Sequence, residues 1–293
     1  MSEFKKPKKG LYRRYLFIDG NEAINALSAL EGGAIEQILS RSAQQDNRHR
    51  GLEGQLGAGP AKLSAKRGGK NLQRYEEEIF RKSTEHSAIS LLLQKLHDKE
   101  EIGVLSEITP EVYAEIEADE LYEFRAKIRL HPLHELVPIM QSWVEAGEGF
   151  GMAKNELKNF RNMATEMERA FHGRDKSKKT LAVFAEMENA PDDHKIVLPI
   201  RRENLRVPLD EFTGEATFVA QVERKLDEGD QLPAARIVRN TPVLPVERDT
   251  MVKQVPIFQS LPGGDDMGIK ITEGDVLLRK PALIMRPLCI YKG

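Results

Sequence analysis

Residues 121–130, Leu-Tyr-Glu-Phe-Arg-Ala-Lys-Ile-Arg-Leu, alternate almost without a break. Tyr122, Phe124, Ala126, Ile128 and Leu130 fall on one face, and Glu123, Arg125, Lys127 and Arg129 on the other, because successive side chains of a strand point to opposite sides. A ten-residue strand with one fully charged face needs a packed core on one side and water on the other. It therefore belongs to an antiparallel or mixed sheet, since the strands of an all-parallel sheet are covered on both faces.

The rest of the chain fits around that strand. Tyr12, Tyr15, Phe17 and Ile18 predict a first strand ending at the Asp19-Gly20 turn signal. Asp19 or Asn21 then caps a helix carrying Ile24, Leu27 and Leu30, which Gly32-Gly33 stops. Helical spacing returns over 71–98, most clearly at Ile89, Leu92, Leu93 and Leu96, and 102–108 predicts a short strand. Thr109 caps a brief helix that opens at Pro110. Helices are predicted over 133–146 and 152–171, separated by Gly147-Glu-Gly-Phe-Gly151.

The final third is rich in β signals. Strands are predicted over 180–187, 195–200, 216–226, 236–239 and 281–291, with helical turns at 201–205 and 247–255. The fold class is α+β, with mixed or antiparallel sheets around a central group of helices and two subdomains. The expected organisation is an N-terminal strand–helix unit (1–40), a flexible basic Gly-rich loop (41–70), a helical middle (71–175) and a β-rich C-terminal domain (176–293).

The loop is the least foldable segment. It has six glycines, almost no large apolar side chain, and seven basic residues, Arg41, Arg48, Arg50, Lys62, Lys66, Arg67 and Lys70, against Asp46 and Glu53. Such a segment buries too little apolar area to offset its ordering entropy. The formal net charge of −2 hides this asymmetry: residues 1–70 hold 13 basic and 7 acidic residues, whereas 101–148 hold 3 and 11. A basic arm of this kind suits a nucleic acid, an anionic membrane surface, an acidic protein surface or a second copy of the chain.

Composition removes several classes. A single cysteine, Cys289, excludes an internal disulfide and any multi-cysteine metal site, and suits a reducing compartment. Flanked by Leu288 and Ile290, it reads as an inert small hydrophobe. Phe, Tyr and Trp make up 6% of the chain, thin for a base-stacking surface. No stretch approaches the roughly 18 apolar residues of a membrane helix, and nothing resembles a signal peptide, so a cytoplasmic location is expected.

Motifs for chemistry are incomplete. There is no G-x-x-x-x-G-K-[ST], and Gly147–Gly151 follows a helix rather than a strand, with Glu148 where a pyrophosphate would sit. His131 and His134 stand three apart at a strand-to-helix junction and are weak metal candidates with Glu123 or Glu135. The sharpest catalytic pattern is Asp210 followed by Glu223-Arg-Lys225. A Mg²⁺-dependent nuclease would use the two carboxylates to hold the ion and the lysine to activate water. On a regular strand Glu223 and Lys225 share a face with Gln221, opposite Phe218, Ala220, Val222 and Leu226. The same residues equally describe the wet face of a half-buried strand.

Tyr15-Leu-Phe-Ile-Asp19, Ala26-Leu-Ser-Ala-Leu-Glu-Gly-Gly33 and the Gly-rich basic stretch resemble an uncharacterised bacterial family of unknown function. Leu130-His-Pro-Leu133, Phe218-Val-Ala-Gln-Val222 and Arg286-Pro-Leu-Cys-Ile-Tyr291 fit the same likeness. It implies a bacterial or phage-related cytoplasmic protein and supplies no catalytic residues or cofactor. The function expected is a non-catalytic binding or regulatory protein acting through protein partners, with homo-oligomer formation and an accessory or sensing role in a stress or antiphage system as finer expectations. The alternatives are the Mg²⁺ nuclease and binding of nucleic acid or anionic lipid through the basic N-terminal region.

Overall fold

The computed structural model describes residues 13–30, 85–147, 153–172, 180–190, 194–238, 244–259 and 271–293. The chain divides into two compact units, residues 1–17 with 102–293, and residues 18–101.

The larger unit is built on long strands: β1 (Arg14–Ile18), β2 (Gly103–Leu105), β3 (Leu121–Leu130), β4 (Thr180–Glu186), β5 (Lys195–Arg201), β6 (Gly214–Lys225) and β9 (Ala282–Lys292), with a short β7 (Leu232–Pro233) and β8 (Leu277–Leu278) pairing separately. Five of them close on themselves. β3 pairs with β4, β4 with β5 and β6 with both β3 and β9, all antiparallel, while β5 and β9 pair in parallel. The ring therefore runs β3-β4-β5-β9-β6 and back to β3, the connectivity of an OB-type Greek-key barrel, with β1 and β2 added at its margins.

Alternation explains the interior. Phe124, Ala126 and Ile128 of β3 point inward with Leu181, Val183 and Ala185 of β4, Ile196, Leu198 and Ile200 of β5, and Ala216, Phe218, Ala220 and Val222 of β6. Phe124 and Phe218 are cross-strand partners whose rings stack 5.2 Å apart, and the alanines around them make room for the two rings. The wet face expected for 121–130 is the outside of this barrel, where Arg125 and Lys127 are exposed.

Helix α3 (Pro110–Glu115) closes one end. Thr109 caps it by accepting a hydrogen bond from the Val112 amide at 3.2 Å. Its Tyr113 and Ile116 enter the same core, and the Tyr113 hydroxyl donates to the carbonyls of Leu226 (2.7 Å) and Ala282 (3.1 Å). The connection from β3 to β4 carries two helices, α4 (Pro132–Gly147) and α5 (Lys154–His172), which pack on each other. Because β3 and β4 are antiparallel and β3 begins beside α3, this hairpin is rooted at the opposite end of the barrel. The connection from β6 to β9 carries β7, α6 (Ala235–Val238), α7 (Pro245–Gln259), α8 (Glu273–Val276) and β8.

Two expectations change here. The boundary between units does not fall at 175/176: β3 and β4 pair directly across it, so residues 102–293 lie in one unit and the second unit is residues 18–101. Residues 235–238 are helical, not a strand: Ala235 and Val238 are buried and Ile237 packs on the cluster over the barrel's outer face, so tertiary packing overrides the β propensity of Ile237 and Val238.

In the smaller unit, Asp19 caps α1 (Gly20–Leu30), its carboxylate accepting from the Glu22 amide at 3.3 Å. The first residue of that helix lies against the buried Glu85 of the helix over 85–98, and any Cβ at Gly20 would overlap the Glu85 side chain.

Candidate functional site

β6 decides the fate of the Glu-x-Lys pattern. Its pairing with β9 shifts between Val222 and Arg224, so Glu223 occupies a β-bulge. Beyond it the alternation changes phase. Val222 and Lys225 both sit opposite inward residues of β9, Met285 and Leu283, while Leu226 joins a different, outer cluster from Phe218, Ala220 and Val222. Glu223 stays exposed and Lys225 turns to the barrel end. There its ammonium donates to the carbonyls of Ile116 (2.6 Å), Ala114 (3.0 Å) and Tyr113 (3.3 Å), and lies 5.6 Å from the centre of the Tyr113 ring. A cation on the last carbonyls of a helix satisfies acceptors that have no partner within the helix.

Asp210 lies in a 3₁₀ turn just before β6 begins, whereas Glu223 and Lys225 are at its far end. Nine residues of strand separate Gly214 from Glu223, about 30 Å at 3.3 Å per residue. The three residues of the nuclease pattern are therefore at opposite ends of the barrel and do not converge. Among the described residues no three His, Cys, Asp or Glu side chains are grouped so that they could hold a metal ion.

His131 and His134 do come together, their rings 6.3 Å apart, but inside a structural clasp. His131 is fully buried, and its Nε2 donates to the main-chain carbonyl of Asp275 at 2.7 Å. His134 Nε2 accepts the Ala182 amide at 3.0 Å, which requires that nitrogen to be unprotonated. The Asp275 carboxylate, also buried, accepts from Arg129 (2.8 Å) and from both the amide and the hydroxyl of Thr272 (2.8 Å each). Burial by itself would raise the Asp275 pKa. The Arg129 and Thr272 hydrogen bonds outweigh it and hold the carboxyl below the usual carboxylate range. Arg129 also pairs with Glu186 and lies 4.5 Å over the Phe184 ring.

The clasp fastens the β6–β9 connection onto the outside of the barrel. Beneath it Phe184, Val197, Leu226, Leu232, Leu278, Ala282 and Ile284 form a second buried cluster covered by α6 and the β7–β8 pair. In OB-type barrels the face of the second and third strands, here β4 and β5, is the surface that meets oligonucleotides and oligosaccharides. Exposing seven such side chains would cost about 10–20 kcal/mol at about 1.5–3 each, comparable to or above the whole stability of a domain. The cover is part of the fold rather than a lid.

Exposed charge is sorted by location. At the α3 end, Glu107, Glu111, Glu115, Glu117 and Asp119 are exposed and form no ion pair with a described residue. Glu111 is held below the usual carboxylate range by its own amide and then by the Thr109 hydroxyl. Glu120 beside them is held low by the Glu117 amide and then by the Tyr122 hydroxyl. Along α5, Lys154, Lys158, Arg161, Thr165 and Arg169 recur on one exposed stripe at spacings of three and four. Arg169 pairs with Glu166, while Lys154, Lys158 and Arg161 form no ion pair with a described residue. On the barrel wall, Lys127 stands across from Glu215 on one side and Glu186 on the other, so charge alternates there.

Cys289 is fully buried opposite Val219 on the outside of β9, and burial pushes its thiol far up. Arg41, Arg48, Arg50, Lys62, Lys66, Arg67 and Lys70 lie outside the described residues, as do residues 148–152 of the glycine-rich connection. The α5 stripe escaped the sequence reading because its cations are interrupted by Glu156, Glu166 and Glu168.

No helix of the described residues is long and apolar enough to cross a membrane. No curated protein and no solved structure matches the chain. A family model does match, over residues 12–291, which is nearly the whole chain including the barrel, and the protein belongs to that family, described as a domain of unknown function (DUF6414).

Proposed function

We propose that the chain is a non-catalytic binding and regulatory protein that acts through protein partners. The observation that carries this reading is how its polar side chains are used. Lys225 and Tyr113 hold α3 on the barrel, His131 and Asp275 hold the β6–β9 connection there, and His134 ties α4 to β4. The exposed charge is sorted into an acidic end around α3 and a basic stripe on α5. Segregated, uncompensated charge steers association and selects partners more than it stabilises a fold. The barrel face that would suit an oligonucleotide is filled by the chain's own α6, β7 and β8.

Cross-linking mass spectrometry and light scattering on the full chain test the reading. Saturable, stoichiometric protein complexes are expected, with cross-links on Lys154 or Lys158 or on the α3 carboxylates. Metal-dependent cleavage of plasmid or RNA that disappears in Glu223→Ala would overturn it.

A further inference from the structure

The two charged regions lie on one unit, one around α3 and the other along α5. Lys154, Lys158 and Arg161 occupy the half of α5 nearest the tip of the α4–α5 hairpin, which is rooted at the end of the barrel where β3 stops and β4 starts. Glu107, Glu111, Glu115, Glu117 and Asp119 surround α3, which plugs the end where β3 starts and β6 stops. Neither set is neutralised within the chain by an ion pair to a described residue. Asn155 and Asn162 flank the basic stripe, and both are exposed.

Resting on the reading that the chain works through protein partners, we infer that the partner of the α5 stripe is a second copy of this chain, bound through its α3 carboxylates. A second copy is the one occupant that satisfies both regions at once. A nucleic acid or an anionic lipid would engage the α5 stripe and leave the α3 carboxylates unpaired and repelled. The contact joins the α5 stripe of one copy to the α3 carboxylates of another, two different patches of the same unit. Both surfaces are polar and exposed, so the association is weak and depends on ionic strength.

Two variants of the full chain, K154E/K158E/R161E and E107K/E115K/E117K, and their equimolar mixture test this. Every substituted side chain is exposed, so circular dichroism and melting temperature should match the wild type. In sedimentation velocity, the wild-type weight-average mass should rise with protein concentration at about 50 mM salt and return to that of the monomer at about 500 mM, where the screening length falls to a few ångströms. Each variant alone should associate about tenfold more weakly or worse. The mixture should recover assembly, because each reversed patch then meets a complementary one.

Failure of the mixture to recover assembly overturns the inference, as does self-association that is indifferent to salt. A fluorescent 30-nucleotide DNA or an anionic vesicle bound by the wild type and lost only in K154E/K158E/R161E, without self-association, assigns the stripe to that ligand instead. Loss of the inference with stoichiometric capture of a different protein would leave the broader reading standing. Loss of both would show as a salt-insensitive monomer that forms no protein complex at all.

Discussion

Arg129 reaches from the end of β3 to the buried carboxylate of Asp275, 2.8 Å away, and so ties the β6–β9 connection to a strand 146 positions earlier in the chain. Two residues further, just past the end of β3, His131 donates to the main-chain carbonyl of the same aspartate. One residue of the connection is thus held by its side chain and its backbone at once.

Removing one partner of this pair leaves a buried charge without compensation. Asp275→Leu or Arg129→Met should destabilise the protein by about 3 kcal/mol, and the double variant Arg129→Met with Asp275→Leu should cost less than the sum of the two. Urea denaturation of the four proteins of the cycle measures this. Because the Asp275 pKa is depressed in the fold, its contribution is complete above the unfolded value of about 3.9 and is lost as pH falls through the folded value. The stability difference between wild type and Asp275→Asn should shrink over that acidic range.

Lys225 is a helix cap. Lys225→Met, which keeps the stem and loses the three carbonyl contacts, should cost about 1–2 kcal/mol, whereas Glu223→Gln at the exposed bulge should stay within about 0.5 kcal/mol. Thermal unfolding monitored by circular dichroism separates the two. Equal losses would mean that the bulge does not direct Lys225 to α3.

Tyr122 titrates late. Burial, and then the hydrogen bond to the Glu120 carboxylate at 2.6 Å, raise its phenol to about 12. The fold favours the protonated form, so this group's contribution is complete below the unfolded value of about 10 and is lost as pH rises toward 12. Phenolate absorbance of wild type minus Tyr122→Phe should show one transition displaced to the higher pH.

Gly20 is needed for space. Gly20→Ala would push its methyl group into the buried Glu85 side chain, which must then move, and a loss of about 1–3 kcal/mol is expected. Adding Glu85→Ala to that variant should recover part of the loss. Hydrogen exchange of the amides in 20–30 and 85–98 reads both effects locally.

Phe218 is the sharpest test of barrel closure. Its ring stacks on Phe124 inside the ring of strands, and Phe218→Ala should cost about 3–5 kcal/mol, at the upper end for a single core truncation.

The extent to which these relationships were legible beforehand varies with their range. The alternation of 121–130, the Thr109 cap with Pro110, and the Asp19 cap of α1 are each written within a few neighbouring residues, and each is present in the fold. The divergence of Glu223 and Lys225 along β6 was not legible. A bulge at Glu223 depends on its β9 partner, and without that partner the Glu-x-Lys spacing reads as one face. The short β7, α8 and β8 went unseen because two to four residues carry no period. His131 and His134 were visible as a pair, but their engagement with Asp275 and Ala182 lies at separations of 144 and 48 residues.

By itself, then, the order of the amino acids determined the individual strands and most helices, the outward charge of β3, and the α+β class. All of these follow from side-chain period and capping chemistry over a turn or a few residues. Only the tertiary structure decided that the strands close into a single barrel and that the β6–β9 connection seals its β4–β5 face. Closure is a matter of which strand pairs with which, and backbone hydrogen bonding is indifferent to the identity of the residues. The choice rests on burying Phe124, Phe218 and their neighbours together, a property of the assembled core that no single segment contains.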